Sequence, residues 1–475
     1  MLLSLVLVRI LVHRLGGEHY AIFALVPSTV GYLGLLDLGL AEAMVKYAAG
    51  YRDTRQINVA VNTTFFSYVV LGLVGCGLLA GFTALALVRT YNVAPGSASP
   101  ARFVFYVAAI AYAANMPFGV FNSLLQALQR LDLVRKLSMV FGTLHAFAAM
   151  GVLLQGGGLR ALAVATSLVS LAGLLGALVV AKRVQPELRF GLRFFDWAEF
   201  RKLFRFGWVA VLGRVFGYII YQCDVTLLAV LVHSRAVTLY DIPNRLASKL
   251  YLFAHAVYDT MYPLVSSVET DEGMARVARV FETSVVFMFV VTAAPAVIVA
   301  RYAELLLTLW VGAEYAHLAP YLQFLALAWA LNAVGSPCTF TSKGVGRPWV
   351  ETVNAALVMV LNIVLDVILI LKAGVLGAVV ATAISQAFGV TRNLIVVSGL
   401  VEHSRLRMFG RLGVCAAGAG VCALALACPA KSFVAVGASA CAFLTVYALA
   451  AWFVMLSQAE RAMVRSLWRK ALGKL

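Results

Sequence analysis

Apolar segments recur along the entire chain, and no other feature constrains the fold as much. We count fourteen of them, close to residues 1–15, 20–47, 59–88, 102–128, 137–155, 159–181, 203–232, 239–266, 280–300, 317–342, 350–371, 374–400, 409–428 and 432–456. A hydrocarbon core about 30 Å thick requires about 20 apolar residues per helix, and nearly all of these segments reach that length. The connections are short, which leaves no room for a separate soluble domain. The sequence therefore predicts an all-α, polytopic membrane protein.

The basic residues indicate the orientation in the membrane. Hydrophobic residues make up 62% of the 475 residues, so the net charge of +17 belongs to a membrane protein and does not by itself indicate a nucleic-acid partner. With a cytoplasmic N-terminus, 25 Lys and Arg residues fall on the cytoplasmic side and eight on the opposite side. Positive charge is concentrated on the cytoplasmic side of membrane proteins. We therefore predict a multi-pass protein of the cytoplasmic (inner) membrane with both termini in the cytoplasm and no nucleic-acid partner.

An internal repeat predicts the domain organisation. The tripeptide Leu11–His13, followed by Tyr20, recurs as Leu231–His233, followed by Tyr240, at an offset of 220 residues. A second match, between residues 158–166 and 374–382, has nearly the same offset. Six spans per copy keep both copies in the same orientation, which is typical of transporters with a site between two halves. We predict a six-helix bundle at 1–181, a cytoplasmic linker at 182–202, a second six-helix bundle at 203–402, and two additional helices with a basic tail at 403–475.

The first apolar segment is shorter than its counterpart in the repeat. The offset aligns Met1 with Tyr221, in the middle of the seventh segment. About 13 apolar residues span only about 20 Å at 1.5 Å per residue, which is less than the membrane requires. We therefore expect the first helix to lack an N-terminal part.

The predicted linker is rich in aromatic and basic residues. It contains Phe190, Phe194, Phe195 and Trp197 together with several Lys and Arg residues. This pattern favours a short amphipathic helix in the lipid headgroup region.

The eighth segment, Tyr240–Pro263, carries ionisable residues in an otherwise apolar helix. Lys249 and Asp259 each fall within roughly 40° of Arg245 around a helix axis. Intramembrane charges are costly, and they usually mark a bundle interior or a substrate path. The pattern predicts a cationic cavity that receives an anion. The alternative is an internal salt bridge that only holds helices together.

Further polar residues extend this predicted cavity. The seventh segment contains Arg214, Tyr218, Tyr221 and Asp224 at spacings of four, three and three, which forms a polar stripe on a membrane helix. The second segment adds Asp37. We assign the substrate-binding cavity to Arg214, Arg245, Lys249, Tyr218, Tyr221, Asp224, Asp259 and Asp37.

No motif indicates a catalytic residue, a cofactor or a metal site. The seven cysteines form no C-x-x-C or Cys/His cluster, and the chain contains no G-x-x-x-x-G-K-[ST] sequence. We expect transport to be driven by a proton or sodium gradient or by consumption of the product outside.

Longer stretches resemble a known family. The sequence LGGEHYAIFALVPSTVGYLGLLDLGLAEAMVKYAA, from Leu15 to Ala49, resembles the N-terminal signature of polysaccharide (O-antigen) flippases of the multidrug/oligosaccharidyl-lipid/polysaccharide exporter superfamily. The resemblance continues through FRFGWVAVLGRVFGYIIYQCDVTLLAVLV, YDIPNRLASKLY, LLTLWVGAEYAHLAPYLQFLALAWALN and residues 343–389. It implies two pseudo-symmetric bundles with two additional C-terminal helices, and a lumen whose cations correspond here to Arg214, Arg245 and Lys249.

The resemblance also implies a substrate and partners. The substrate is an undecaprenyl-diphosphate-linked oligosaccharide, moved from the inner to the outer leaflet for cell-surface polysaccharide such as lipopolysaccharide O-antigen. Membrane lipids, a polysaccharide polymerase and chain-length machinery are the other expected partners. The chemistry agrees, because Arg binds phosphate through forked donors and Lys249 adds a point charge. Asp224 and Asp259 would orient these cations or take up a coupling ion.

Three other functions remain open at this point. A multidrug exporter of the same superfamily would present a mainly acidic or aromatic cavity, whereas the best-placed charges here are positive. A lipid II flippase belongs to the same class of transporter. A membrane enzyme such as an oligosaccharide polymerase or ligase would need acid/base residues on a sizeable outward loop, and every outward loop is short. We therefore expect a transporter and not an enzyme.

Overall fold

The computed structural model describes residues 2–51, 53–251, 273–402, 404–424, 433–458 and 461, and these residues contain helices and no strands. Ten helices in this part of the chain are long and apolar enough to cross a membrane. The predicted all-α, polytopic fold is confirmed. Within it, two compact units are distinguished, Met1–Asp241 with Ile370–Val375, and Ile242–Leu369 with Leu376–Leu475. The domain boundaries predicted from the repeat stay a prediction.

Unit 1 is built from long helices joined by short turns. In chain order these are α1 (Leu2–Tyr32), α2 (Leu40–Ala48), α3 (Thr54–Leu85), α4 (Leu87–Thr90), α5 (Ala98–Ala127), α6 (Leu131–Leu154), α7 (Leu159–Val184) and α8 (Trp197–Leu231). Helix α9 (Ser234–Ala247) begins in this unit and crosses its boundary. Helix α5 packs against α3 and α7, and α7 packs against α6. Phe121 and Leu124 of α5 are fully buried in the core that these helices share with α2.

Two breaks divide the N-terminal helices. Gly16 has non-helical angles, φ 74° and ψ 166°, so α1 consists of two helical arms that meet at this residue. Gly16 tolerates this left-handed φ because it has no β-carbon. The predicted second segment, 20–47, is also interrupted, by a 3-10 turn at Leu33–Asp37 and by Gly39 at φ 70°. These turns place Asp37 between two helices.

Gly39 lies directly against Gly207 of α8. A β-carbon built on either glycine would overlap the backbone of the other. The absence of both side chains therefore permits the start of α2 to touch α8.

The predicted amphipathic helix around Phe190–Trp197 is not formed. Only a short 3-10 turn, Leu192–Phe194, interrupts an irregular segment, and α8 begins at Trp197 with Asp196 as its N-cap. The backbone of this segment is hydrogen-bonded instead by side chains of α3, including Asn58 and Asn62. The pattern of aromatic and basic residues in this segment does not reveal these hydrogen bonds, because the asparagines lie far away in the sequence.

The other described helices belong to unit 2, apart from the stretch Ile370–Val375, which belongs to unit 1. They are α10 (Gly273–Arg301), α11 (Ala303–Val311), α12 (Ala319–Gly344), α13 (Trp349–Ala373), α14 (Val375–Leu400), α15 (Arg405–Leu424) and α16 (Phe433–Ala450), with a π-helical turn at Ala451–Met455. Helix α10 packs against α12 and α15. One core surrounds Phe281 and Phe340, and another joins α10, α15 and α16 around Phe443.

The predicted number of fourteen spans stays a prediction. The ten apolar helices do not include α1, α8 or α9, and within α8 the described residues Gln222–Leu231 form a shorter apolar helix. The eighth predicted segment continues beyond Tyr251 into residues outside the described ranges.

Candidate functional site

Tyr218 of α8 is bound directly to α1. Its hydroxyl donates to the carbonyl oxygens of Pro27 and Ser28, at 2.6 and 3.2 Å. The tyrosine ring occupies the space where a β-carbon on Gly31 would lie. It also makes an edge-to-face contact with Tyr32, with ring centroids 5.8 Å apart. A residue predicted to line a cavity therefore joins two helices of unit 1.

More hydrogen bonds connect the same two helices. Ser28 donates to the side-chain oxygen of Gln222 at 2.6 Å, and Tyr32 donates to Thr226 at 3.1 Å. We call the hydrogen bonds between residues 17–32 of α1 and residues 218–241 of α8 and α9 the α1 seam. Polar side chains that pair in this way satisfy groups that would be costly to expose to hydrocarbon.

The α1 seam continues to the first residues of α9. Thr238 donates to the carbonyl of Gly17 at 2.6 Å, and Ser234 donates to the carboxylate of Glu18 at 2.8 Å. At the other end of α8, Lys202 lies near Tyr51, beyond the end of α2. The seam therefore lies at the end of α8 that is remote from the basic linker.

Two buried aspartates are each bound by a tyrosine that the repeat had singled out. Tyr20 donates to Asp241 at 2.5 Å, and Tyr240 donates to Asp224. Both tyrosines are buried, and Asp224 is 2% exposed. Tyr20 and Tyr240 are separated by the offset of 220 residues, and each binds an aspartate, although the two aspartates do not occupy equivalent positions under that offset. Sequence reasoning missed Asp241, although it directly follows Tyr240.

An open cavity of about 680 Å³ is lined by residues of unit 1. This volume is typical of small-molecule sites. The lining is largely apolar and aromatic, and its polar members include Asp37, Tyr68, Tyr112, Asn115 and His145. Asp37 accepts a hydrogen bond from Tyr68. The Oδ1 atom of Asn115 is buried without a hydrogen-bond partner.

The cationic residues predicted on the eighth segment lie in unit 2. Arg245 is in the last turn of α9, and Lys249 is in the 3-10 turn Ser248–Tyr251 that follows. Both are half-buried, and their charges are close enough to repel each other. Two neighbouring cations that are partly shielded from water favour binding of an anion.

Unit 2 also contains paired amide side chains that sequence reasoning did not assign. Asn332 of α12 donates to Gln386 of α14, and Arg392 of α14 donates to Asn354 of α13 at 3.1 Å. These pairs are within hydrogen-bonding distance only because the three helices pack together. No local sequence signal identifies such partners.

The other predicted site residues are placed only in part. The backbones of Arg214 and Tyr221 lie in α8, but their side chains lie outside the description. Asp259 lies in the range 252–272, outside the described residues. Tyr218, Asp224 and Asp37 belong to unit 1, whereas Arg245 and Lys249 belong to unit 2. The role of these residues in substrate binding stays a prediction.

Comparison with known proteins identifies similar transporters. The family described as polysaccharide biosynthesis proteins matches residues 1–269. An O-antigen transporter of Shigella flexneri is 21% identical over 79% of this chain and 88% of its own length. The low-salt glycan biosynthesis flippase Agl15 of Haloferax volcanii is 26% identical over 54% of this chain and 52% of its own length.

Solved structures with the same fold are also transporters. The lipid II flippase MurJ in its inward closed conformation has a TM-score of 0.76 at 13% identity, over 94% of this chain and 95% of that one. An inward-facing multidrug resistance transporter of the MATE family has a TM-score of 0.67 at 16% identity, over 85% of this chain and 96% of that one. At these identities the similarity establishes the fold alone.

Proposed function

The chain belongs to the family of polysaccharide biosynthesis proteins, and we propose that it is a flippase for a lipid-linked oligosaccharide. It is a multi-pass membrane protein whose similar proteins are transporters and flippases and not enzymes. The proposed substrate carries an undecaprenyl diphosphate and moves from the inner to the outer leaflet of the cytoplasmic membrane. The names of the Shigella and Haloferax relatives support a glycan substrate.

The observation that carries the proposal is the pair of neighbouring cations in unit 2. A diphosphate cannot cross hydrocarbon without compensation of its charge, because desolvation of an anion is very costly. Arg245 and Lys249 supply two adjacent positive charges in a partly shielded position. The forked guanidinium of Arg245 binds two phosphate oxygens at once, whereas Lys249 contributes a point charge. The prenyl tail remains in lipid throughout.

The α1 seam supports a mechanism with two alternating states. It joins α1 to α8 and α9 through side-chain hydrogen bonds, which are individually weak and can re-form. A change of state that separates α1 from α8 and α9 would break these hydrogen bonds. The free energy of substrate binding would then have to compensate for their loss. Asp224 or Asp259 would take up a proton or a sodium ion if a gradient drives this change.

The test is complementation of a strain that lacks its own flippase and accumulates lipid-linked oligosaccharide. Arg245→Ala should reduce export strongly at an unchanged protein level, because the phosphate loses its forked donor. Arg245→Lys should restore only part of the export. Arg279→Ala is the matched control, since it removes an exposed arginine of the same unit.

The salt-bridge alternative gives a different pattern. If Arg245 only neutralises Asp259, each single substitution lowers protein abundance, and the double variant Arg245→Ala, Asp259→Ala restores both abundance and export. Full export by this double variant would contradict a role of Arg245 in substrate binding.

The cavity of unit 1 favours a second candidate function, the export of organic cations. A carboxylate among aromatic side chains is the arrangement that attracts a lipophilic cation, and Asp37 lies near Tyr68 and Tyr112 in that cavity. Efflux of a fluorescent organic cation from vesicles that contain the purified protein tests this function. Cation efflux that Asp37→Asn abolishes, without any movement of lipid-linked oligosaccharide, would favour the exporter over the flippase.

A further inference from the structure

The segment before α8 is fixed to α3 by buried asparagine side chains. We call residues 185–196 the docked loop. Asn58 donates to the carbonyl of Glu187 at 3.1 Å and accepts from the backbone N–H of Arg189 at 2.9 Å. Asn58 is only 5% exposed, so water competes little for these bonds.

A second asparagine, one turn further along α3, continues this arrangement. Asn62 donates to the carbonyl of Arg189 at 2.8 Å and accepts from the N–H of Gly191 at 3.0 Å. Thr63 accepts from the N–H of Asp196 at 3.0 Å. The main chain of the docked loop is therefore held in one conformation by side chains from a helix that precedes it by more than 120 residues.

Helix α8 is too long to lie entirely in hydrocarbon. Its 35 residues extend over roughly 52 Å at 1.5 Å per residue, whereas a bilayer core is about 30 Å thick. An untilted helix of this length places about 15 residues at or beyond the membrane surface. The first turns of α8 meet this requirement, because they follow directly on the docked loop.

One side of these first turns packs against other parts of unit 1. Leu203 is fully buried, and Glu199 accepts a hydrogen bond from the hydroxyl of Tyr51 at 2.5 Å. Lys202 forms a salt bridge with Glu199 at 3.3 Å. This anchoring determines which residues face outward.

The opposite side is an exposed aromatic and basic face. Trp197, Phe204 and Trp208 are 56%, 39% and 48% exposed. Arg201 and Arg205 are exposed as well, and all five fall within roughly 100° around the helix axis. Phe200 stacks between Trp197 and Phe204, with centroid distances of 5.0 and 6.1 Å.

The docked loop and the end of α7 add positive charge next to this face. Their exposed basic residues are Lys182, Arg183, Arg189 and Arg193, against the exposed acids Glu187 and Asp196. With Arg201 and Arg205, six exposed cations lie in this stretch of 24 residues, and none forms a salt bridge with another residue that the structure describes. The guanidinium of Arg193 lies 4.9 Å from the ring of Phe194.

We propose that the docked loop and the exposed face of α8 form a binding surface for acidic phospholipids. Tryptophan and phenylalanine at the headgroup level insert their rings among the glycerol and upper acyl groups. Arginine next to them binds the lipid phosphate through its forked donors. The positive charge is complementary to an anionic leaflet, and the asparagine bonds fix the loop so that little entropy is lost on binding. The partner is the bilayer lipid, independently of the transported substrate.

The test uses the full chain, purified in a mild detergent and titrated with phosphatidylglycerol or with phosphatidylcholine. Bound lipid is counted by native mass spectrometry. The triple variant Arg193→Gln, Arg201→Gln, Arg205→Gln should lose affinity for phosphatidylglycerol by about tenfold or more, because each arginine near an anionic headgroup contributes favourable electrostatic free energy. Weak binding of phosphatidylcholine should not change.

The matched control removes the same number of exposed arginines elsewhere. Arg135→Gln, Arg276→Gln, Arg279→Gln has the same net charge as the triple variant, and all three residues are exposed. Its affinity for phosphatidylglycerol should remain within about twofold of the wild type. An equal loss in both variants would show that only net charge matters, and this would overturn the proposal. An unchanged affinity of the first variant would overturn it as well.

Two further variants test the separate parts of the surface. Trp197→Ala, Trp208→Ala keeps every charge but should still weaken phosphatidylglycerol binding, because the insertion of the rings is lost. Loss of binding to undecaprenyl diphosphate, without loss of phosphatidylglycerol binding, in the triple arginine variant would assign the surface to the transported substrate and contradict a lipid role.

Discussion

We expect the Tyr20–Asp241 hydrogen bond to make a measurable contribution to stability. The phenolic oxygen lies 2.5 Å from the carboxylate, Tyr20 is fully buried, and Asp241 is only 7% exposed. A hydrogen bond to a charged group contributes about 1.5–3 kcal/mol, and exclusion of water favours the upper part of this range. Tyr20→Phe retains the ring and its packing and removes only the hydroxyl. We therefore expect the free energy of unfolding to fall by about 1.5–3 kcal/mol.

The assay is unfolding of the detergent-solubilised chain by increasing mole fractions of dodecyl sulfate, followed by circular dichroism. Tyr106→Phe is the matched control, since Tyr106 is 39% exposed and its loss of a hydroxyl should cost less than about 0.5 kcal/mol. A double-mutant cycle with Asp241→Asn isolates the coupling between the two side chains. A coupling energy near zero, or equal effects of Tyr20→Phe and Tyr106→Phe, would refute the reasoning.

Two other predictions follow from unit 1. Gly207→Ala should destabilise the chain by about 1–3 kcal/mol in the same unfolding assay, because the new methyl group overlaps the backbone of Gly39. Gly77→Ala is the control and should be neutral or slightly stabilising, because no atom lies within 4 Å of the new carbon. Burial and the hydrogen bond to Glu199 raise the pKa of Tyr51 in the folded protein above its ordinary value of about 10. The protonated Tyr51 therefore contributes its full share of stability below pH about 10, and this share decreases as the pH rises through the pKa of the folded state. Tyr51→Phe should remove that part of the alkaline loss in unfolding curves measured between pH 8 and 11, and an identical pH profile of both proteins would contradict this assignment.

The positions of the long helices were predictable because membrane helices leave a direct signal in the sequence. Each needs about 20 apolar residues, and its backbone hydrogen bonds lie within the segment. Helices α5, α6 and α7 accordingly begin and end within about six residues of the predicted segments. The polar residue Asp224 was also distinctive, since it interrupts an apolar stretch of α8, and it proves to be bound by Tyr240.

The partners of these residues were not predictable. Asn58 and Asn62 read as ordinary polar residues near the start of a membrane helix, yet they bind the main chain of residues 187–191. An extended loop held by distant side chains has no periodicity of its own. The expected amphipathic helix before Trp197 was wrong for this reason.

By itself, the sequence determined that this is an all-α membrane protein with polar residues in its helices, because hydrophobic length and composition are local quantities. The tertiary structure decided which polar groups meet. Tyr218 could have faced a cavity or another helix, and it binds the backbone of α1 because Gly31 leaves space for its ring. Asp37 lies in the cavity of unit 1 because a 3-10 turn reorients the chain at that point. Such outcomes depend on contacts between residues far apart in the chain, and only the packing of the helices brings those residues together.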